Sequence, residues 1–310
     1  MNSILRHTPY PRHARGRTLA VAVAMLLWGM APAYAQKDFS TPEAAMTAFG
    51  NAVATSDDTA MQSILGANYK TLIPPVGADI RYRFLEAWSQ SHAIQPDGDN
   101  RARIATGKDG WTLPIPLVKT AKGWHFDTRA GVEEMKARRI GRNELSAMQT
   151  LLAVCDAQDD YARLSQQKTG ISTYALKLAS SPGKRDGLYW PSTPGEPQSP
   201  LGPAFLEAGK QSLGESGYHG YHYKLLTSQG PHAPGGKYDY LVNGKLFGGF
   251  ALIAWPARYG DTGIKTFMVS YDGRVYESDL GPNSAAKGAA IKSFDPGPGW
   301  TEVKPEVLTR

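Results

Sequence analysis

The sequence predicts an α+β protein, in which helices and antiparallel strands occupy separate stretches of the chain. The main observation is a segment from Asn143 to Gln166 whose apolar side chains recur every three or four residues. Before this segment, helical patterns give way to short extended runs, and after it apolar and polar residues alternate with a period of two. The apolar face of such a helix needs cover, so we expect it to pack on a C-terminal antiparallel sheet.

The central helix is expected to begin at Asn143, a favourable N-cap residue, with Glu144 placing a negative charge in its first turn. No proline or glycine interrupts the pattern before Gly170. The single cysteine of the chain lies on the apolar stripe, so we interpret it as a buried thiol. The stripe consists of Leu145, Met148, Leu151, Leu152 and Cys155.

The first 35 residues have the three-part pattern of a secretory signal peptide. Arginines precede a short apolar run from Leu19 to Trp28, and Ala33-Tyr34-Ala35 supplies the small residues of a cleavage site before Gln36. We therefore expect cleavage near Ala35 and a periplasmic or extracellular mature protein. The basic residues of this leader are Arg6, Arg12, Arg15 and Arg17.

The charge of the mature chain argues against nucleic-acid binding. The leader carries four of the 34 basic residues and no acidic residue, so 30 basic and 28 acidic residues remain. This near balance lacks the basic excess that nucleic-acid binding needs. No later apolar run has the length of a transmembrane segment.

Residues 36–137 are expected to form the first domain, in which helices precede a small sheet. Ser40-Thr41-Pro42-Glu43 forms a capping box at the start of the first helix. The extended runs that follow are RARIA, WTLPIPLVKT and GWHFDT, and Pro114 and Pro116 predict that the middle run is an edge strand or is bulged. The helical patterns cover Ala45 to Val53, Thr59 to Leu65 and Ile80 to Ser91.

This order of elements resembles the cone-shaped fold of nuclear transport factor 2 and its bacterial relatives. The resemblance implies a curved antiparallel sheet that often encloses a pocket. Aromatic residues could line such a pocket, although this number of aromatic residues is more typical of a core. The candidates are Tyr82, Trp88, Trp111, Trp124 and His125.

Residues 138–310 are expected to form the second domain, the long helix followed by an antiparallel sheet. Asn243-Gly244 and Asp272-Gly273 are strong signals for tight hairpins. Gly248 and Gly249 interrupt one arm and predict a bulge or a close approach of two backbones. A short helix is expected near Ala285 to Lys292.

Three segments of the chain resemble the bacterial family known as Domain of Unknown Function 2950. They are RRIGRNELSAMQTLLAVCDAQDDYA, HGYHYKLLTSQGPHAPGG and FGGFALIAWPARYGDTGIKTFMVSYDGRVYESDLGP. The resemblance extends over nearly the whole mature chain and implies a secreted or envelope protein. It carries over no catalytic residue.

The C-terminal half is also similar to the globular part of type IV pilin-like and pseudopilin proteins. Pilins polymerise through a long apolar N-terminal helix, and this chain lacks one, so the similarity implies a pilin-like module reused in the envelope. The motif residues on the helix include Glu144, Gln158 and Tyr161, which we take as candidate interaction residues. The motif also includes Asn143, Tyr259-Gly260, Thr262-Gly263, Phe267 and Asp272-Gly273.

The sequence offers no recognisable metal or cofactor site, and no catalytic residue is identified. His219 and His222 are three residues apart in an extended segment, so they face opposite sides and would not converge on a metal. Asp156, Asp159 and Asp160 could attract Ca²⁺ or a basic partner, but a solvated helix face also explains them.

Arg138, Arg139 and Arg142 lie at the predicted seam between the two domains. They could pair with acidic residues across the seam, for which Glu133, Glu134 and Asp279 are candidates. They could instead hold an anionic ligand or partner, because guanidinium groups match carboxylate and phosphate geometry. All three are therefore candidate interaction residues.

Two functions remain open. The first is a non-enzymatic envelope module that binds a partner protein or a ligand, with no cofactor and an unknown oligomeric state. The alternative is a small-molecule enzyme, similar to a hydrolase, that uses a pocket in the first domain. A pocket holding a buried acid or histidine with a perturbed pKa would favour the enzyme.

Overall fold

A computed structural model describes residues 36–73, 77–191, 195, 198–202 and 216–308. The predicted signal peptide, residues 1–35, lies outside the described residues. Within the described part, no helix combines the length and apolar character that crossing a membrane requires.

Helices and antiparallel strands together confirm the α+β class. The helices within the described residues are α1 (Pro42–Thr55), α2 (Asp58–Leu65), α3 (Tyr69–Leu72), α4 (Ala78–Gln90), α5 (Thr128–Thr169), α6 (Ser284–Ala290) and α7 (Pro305–Leu308). The strands before α5 are β1 (His92–Pro96), β2 (Arg101–Thr106), β3 (Trp111–Thr112), β4 (Leu117–Thr120) and β5 (Gly123–Phe126). The strands after α5 are β6 (Tyr221–Leu226), β7 (Ser228–Gln229), β8 (Tyr238–Asp239), β9 (Leu241–Val242), β10 (Lys245–Leu246), β11 (Ala251–Pro256), β12 (Thr266–Ser270), β13 (Val275–Ser278) and β14 (Thr301–Glu302).

The N-terminal half packs α1, α2 and α4 around a five-stranded antiparallel sheet. Its strand order is β1-β2-β4-β5, with β3 paired to β2. The sequence did not predict β1, and the expected middle run is two strands, with Pro114 and Pro116 in the break between them. A core that includes Phe49, Ile104 and Phe126 fills the space between helices and sheet.

One helix, α5, runs without a break for 42 residues. At 1.5 Å per residue it is about 60 Å long. It begins after Asp127, whose carboxylate accepts a hydrogen bond from the Ala130 N–H at 3.0 Å, and it ends at Gly170 in the left-handed conformation. The prediction that Asn143 caps the helix was wrong, because Asn143 lies in its interior. The predicted boundary between residues 137 and 138 also falls inside α5, while the division into two domains stays a prediction.

The second half of α5 covers a five-stranded antiparallel sheet with the order β14-β13-β12-β11-β6. The predicted apolar stripe is confirmed: Met148, Leu151 and Cys155 are buried, and Leu145 and Leu152 pack partly buried against the same core. The sheet contributes fully buried side chains from β11 and β12. This burial of apolar surface on both partners is the main force that joins helix and sheet.

The predicted tight turns lie where the sequence placed them. Asn243-Gly244 joins β9 to β10, and Asp272-Gly273 joins β12 to β13. The first hairpin is shorter than expected, because the chain leaves β10 and enters β11 only at Ala251. Gly249 lies in this break with a φ of 135°, and a Cβ there would lie 2.5 Å from Tyr271 Cδ1. The close approach at Gly249 is therefore to the Tyr271 ring and not to a second backbone as predicted.

Two glycines inside α5 give a matched test of its packing. A Cβ on Gly131 would lie 2.8 Å from Ile115 Cγ1, whereas a Cβ on Gly141 would meet nothing within 4 Å. We expect Gly141→Ala to raise the free energy of unfolding by about 0.5–1 kcal/mol, because alanine favours a helix interior. We expect Gly131→Ala to lower it by about 1–3 kcal/mol through overpacking. Urea unfolding measures both, and stabilisation by both changes would contradict this packing.

Candidate functional site

The predicted interaction residues do not form one site. They extend along α5 from Arg138 to Tyr161, a separation of about 35 Å at the rise of an α-helix. They fall into two groups along the helix. Arg138, Arg139, Arg142 and Glu144 lie near the middle of α5, and Gln158 and Tyr161 lie nearer its C-terminal end.

Asn143 and Glu144 anchor α5 to the segment between β11 and β12. The Asn143 side-chain amide donates to the Thr262 carbonyl at 2.9 Å. One carboxylate oxygen of Glu144 accepts hydrogen bonds from the Ile264 N–H at 2.9 Å and the Lys265 N–H at 3.0 Å. We call this set of five residues the Glu144 anchor: Asn143, Glu144, Thr262, Ile264 and Lys265. The side chains of Asn143 and Glu144 thereby supply hydrogen-bond partners to backbone groups of the segment between β11 and β12.

The YGDTG sequence builds the turn that Glu144 holds. The Thr262 N–H donates to the Arg258 carbonyl, and the Arg258 N–H donates to the Thr262 hydroxyl, both at 2.9 Å. A Cβ on Gly263 would lie 2.1 Å from the Tyr221 hydroxyl oxygen, so only glycine fits there. Asn143, Glu144 and the YGDTG residues of the pilin-like motif therefore meet, and their contacts are structural.

Three arginines lie at the predicted seam between the two domains: Arg138, Arg139 and Arg142. The first two form ion pairs within the chain. Arg138 donates to Glu134 at 2.8 Å and to the Thr112 carbonyl at 2.7 Å, and Arg139 pairs with Asp261. The hydrogen bond from Arg258, and then the charge of Arg139, hold the pKa of the Asp261 carboxyl below its usual value.

Of the predicted acidic partners, Glu134 does pair with Arg138, but the two residues lie four apart on α5 and not across the predicted seam. The Asp279 carboxylate instead accepts from the Tyr259 hydroxyl at 3.2 Å. Glu133 is exposed and has no ion-pair partner in the described residues. Arg142 is exposed and, within the same described part of the chain, it has no paired acid.

Gln158 and Tyr161 hold the segment that follows α5. The Gln158 side chain is fully buried, donates to the Ala175 carbonyl at 2.9 Å and accepts from the Ala175 N–H at 2.7 Å. The Tyr161 hydroxyl donates to the Arg185 carbonyl at 3.1 Å, and burial raises the pKa of this phenol. Both candidates therefore have local structural roles.

The other candidate groups lie apart from one another. His219 lies in the turn before β6, while His222 lies on β6 beside Trp255. Asp160 pairs with Arg163 on the same helix. Across the described residues, no group of three or more His, Cys, Asp or Glu side chains could hold a metal ion.

The single thiol is buried against the C-terminal sheet. Cys155 Sγ lies 3.8 Å from the Ser270 carbonyl oxygen. Burial, followed by the negative charges of Asp156 and Asp159, raises the pKa of this thiol to about 12. A thiol with this pKa is a weak nucleophile at neutral pH.

The N-terminal half contains an apolar pocket of about 540 Å³, bounded by the four helices α1 to α4, the β3 region and α5. This volume lies within the range of small-molecule sites, about 300–1,000 Å³. Among the described residues, 18 line the pocket and thirteen of them are apolar: Phe49, Ala52, Val53, Met61, Leu72, Ile73, Ile80, Phe84, Trp111, Leu113, Pro114, Ile115 and Met135.

Of the five aromatic residues named as candidates for a pocket or a core, only Trp111 lines the pocket. Tyr82 is 62% exposed and lies outside, because α4 turns Ile80 and Phe84 toward the pocket instead. Trp88 stacks on His92 with ring centroids 4.7 Å apart, and Trp124 packs partly buried on the core. The Nδ1 atom of His125 lies 3.4 Å from Oδ1 of Asp38. The favoured interpretation, that these aromatic residues belong to the core, is confirmed for Trp88 and Trp124. The pocket alternative holds for Trp111 alone among the five, since the helix face and not the residue type decides what lines the pocket.

Three charged residues belong to the described lining of the pocket. Asp58 accepts from the Tyr69 hydroxyl and from Lys70 Nζ, both at 2.6 Å, and the Lys70 hydrogen bond is the main cause that lowers the pKa of Asp58. The third, Arg81, has no acidic partner within the described residues. Its Nε is covered and has no hydrogen-bond acceptor there. Sequence patterns missed Lys70 and Arg81, because an isolated cation on a helix carries no signal of its own.

Two other depressions are less apolar or shallower. One, of about 510 Å³, lies at the C-terminal end of α5 and includes Tyr161, Lys168 and Arg185. The other, of about 490 Å³, is an open groove beside the Glu144 anchor that includes Ile140 and Gly260. The pocket of the N-terminal half is therefore the candidate ligand site.

The Glu144 anchor can be tested by removing its acceptor. We expect Glu144→Ala to lower the free energy of unfolding by about 2–4 kcal/mol, because two partly buried N–H groups lose their partner. Glu144→Gln should lower the free energy of unfolding by less, since the glutamine amide oxygen can still accept hydrogen bonds from the two N–H groups. Glu133→Ala, at an exposed position of the same helix, is the control and should change stability by less than about 0.5 kcal/mol. If urea unfolding gives the same free energy of unfolding for Glu144→Ala and Glu133→Ala, the Glu144 anchor does not stabilise the fold.

Comparison with known proteins gives a family and no activity. No curated protein and no solved structure matches the chain. The similarities to nuclear transport factor 2 and to pilin-like proteins therefore stay predictions. The model of the family described as "Protein of unknown function (DUF2950)" matches residues 36–303. The chain belongs to this family, as the three resembling segments predicted.

Proposed function

We propose that this protein is secreted to the cell envelope and binds a small apolar ligand in the pocket of its N-terminal half, without catalysing a reaction. The observation that carries this proposal is the apolar pocket of about 540 Å³. Its wall includes Ile80, 53% exposed, and Trp111, 50% exposed. Large apolar side chains that face water in a concave site are a feature of ligand-binding surfaces.

The chemistry of the lining favours binding over the hydrolase alternative. Asp58 is exposed and paired, and its lowered pKa keeps it ionised, so it is a poor general acid at neutral pH. Ser56 supplies a hydroxyl, but no histidine belongs to the described lining that could activate it as a nucleophile. The described lining therefore offers shape and apolar surface but no nucleophile with a base beside it.

The C-terminal half is, in this proposal, a pilin-like module that supports the ligand-binding half. A long helix against an antiparallel sheet supports this interpretation. Such a module could also present the protein to an envelope partner. Exposed Arg142, which lacks a paired acid within the described residues, is the candidate contact.

The proposed location rests on the leader pattern of residues 1–35. We expect expression of the full chain in a Gram-negative host to yield a periplasmic or secreted protein whose first residue is Gln36. N-terminal sequencing of the fractionated protein checks this. Recovery of the uncleaved chain in the cytoplasm would contradict it.

Ligand binding can be tested with N-phenyl-1-naphthylamine, a neutral apolar probe whose fluorescence rises in apolar surroundings. We expect saturable binding by the protein. Val53→Trp should weaken it at least tenfold, because the larger side chain fills space at the pocket wall.

The matched control is Thr47→Trp, which places the same side chain at an exposed position of α1 outside the pocket. It should leave probe affinity unchanged. Absence of saturable binding, or equal binding by the two tryptophan variants, would contradict the proposed function.

A further inference from the structure

Arg81 is the one charged residue of the described pocket lining without an oppositely charged partner in the described chain. Asp58 and Lys70 form an ion pair at 2.6 Å, so their charges offset each other. The guanidinium of Arg81 therefore leaves the pocket with a net positive charge. A positive charge beside an apolar surface favours a ligand that carries one negative charge.

One N–H donor of Arg81, at Nε, also lacks a hydrogen-bond acceptor. Its Nε is covered from solvent and makes no hydrogen bond within the described residues. The guanidinium carbon lies 5.6 Å from the centre of the Tyr82 ring, which holds the group over an aromatic face without using its N–H donors. A covered and unpaired donor is unfavourable unless an acceptor arrives.

The geometry of the side chain selects the kind of acceptor. The planar guanidinium fork matches carboxylate and phosphate alike, since both can accept two parallel N–H bonds. A carboxylate carries the one negative charge that offsets Arg81, whereas a phosphate monoester carries about 1.5 to 2 negative charges at neutral pH. The apolar part of the wall includes Ile80 and Phe84 from the same helix and Trp111 from β3. An apolar chain lying along this wall would bring a terminal carboxylate to Arg81.

We propose that the pocket binds a single-chain amphipathic carboxylate, whose head pairs with Arg81 and whose apolar chain lies against Phe84 and Trp111. This inference rests on the proposed function, since it requires the pocket to be a ligand site. It adds the chemical class of the ligand and the residue that selects it.

The test is displacement of bound N-phenyl-1-naphthylamine by three ten-carbon competitors: decanoate, decanol and decyl phosphate. For the unmodified protein, we expect decanoate to displace the probe at a concentration at least tenfold lower than decanol. Decyl phosphate separates carboxylate recognition from recognition of any anion, and it should compete less well than decanoate. A stronger effect of decyl phosphate would overturn the assignment to a carboxylate.

Arg81→Gln should remove the preference for decanoate over decanol, measured as the ratio of the concentrations at which the two displace the probe from the same variant. Arg81→Lys keeps the charge but loses the fork, so it should retain only part of the preference. Arg83→Gln is the matched control, because Arg83 is an exposed arginine of α4 outside the pocket. It should behave as the unmodified protein.

The outcomes separate this inference from the proposed function. If the probe does not bind the unmodified protein, the proposed function fails. If the probe binds but decanoate and decanol displace it equally, only the role of Arg81 fails. A decanoate preference that survives in Arg81→Gln also overturns it. Should Arg81→Gln not fold, the comparison of competitors on the unmodified protein and on Arg81→Lys decides the question.

Discussion

The structure depends on one helix that serves two hydrophobic cores. In the first turns of α5, Gly131 lies against Ile115, a core residue of the segment between β3 and β4, and the second half of α5 covers the C-terminal sheet. A helix gains most of its stability from burying an apolar face, and the cores meet α5 at different places along its length. Its middle therefore relies on polar contacts, and the Glu144 anchor supplies them where the chain passes from one core to the other.

These contacts also connect the candidate ligand site to the C-terminal sheet. Met135 forms part of the pocket wall, and one turn later Arg138 lies over the Trp111 ring, with its guanidinium carbon 5.7 Å from the ring centre. Arg139 then pairs with Asp261, and Glu144 follows with its two backbone N–H partners. Side chains on one rigid element therefore fix the pocket wall relative to the sheet.

The sequence predicted features that local chemistry determines. The apolar stripe of α5 follows from helical periodicity, and the turns at Asn243-Gly244 and Asp272-Gly273 follow from the backbone conformations that these residues favour. The start of α5 was missed because Asn143 has the chemistry of a cap, yet its amide is used in a tertiary hydrogen bond to Thr262. Capping preference and tertiary contact use the same polar atoms, and sequence alone does not show which contact forms.

The candidate site was harder to predict than the fold. Arg138, Arg139, Glu144 and Gln158 were recognised as unusual polar residues, but their partners come from distant parts of the chain. The pocket was expected in the correct half, whereas its lining was inferred from aromatic residue type. The lining depends on how helices face one another, which periodicity alone does not specify.

Hydrogen exchange across residues 128–169 tests the central claim most directly, because it reports whether α5 is one helix in solution. We predict that peptides covering residues 136–144 exchange their amide hydrogens as slowly as the helical peptides on either side. Rapid exchange confined to residues 136–144 would show two helices joined by a flexible link, and it would contradict this account.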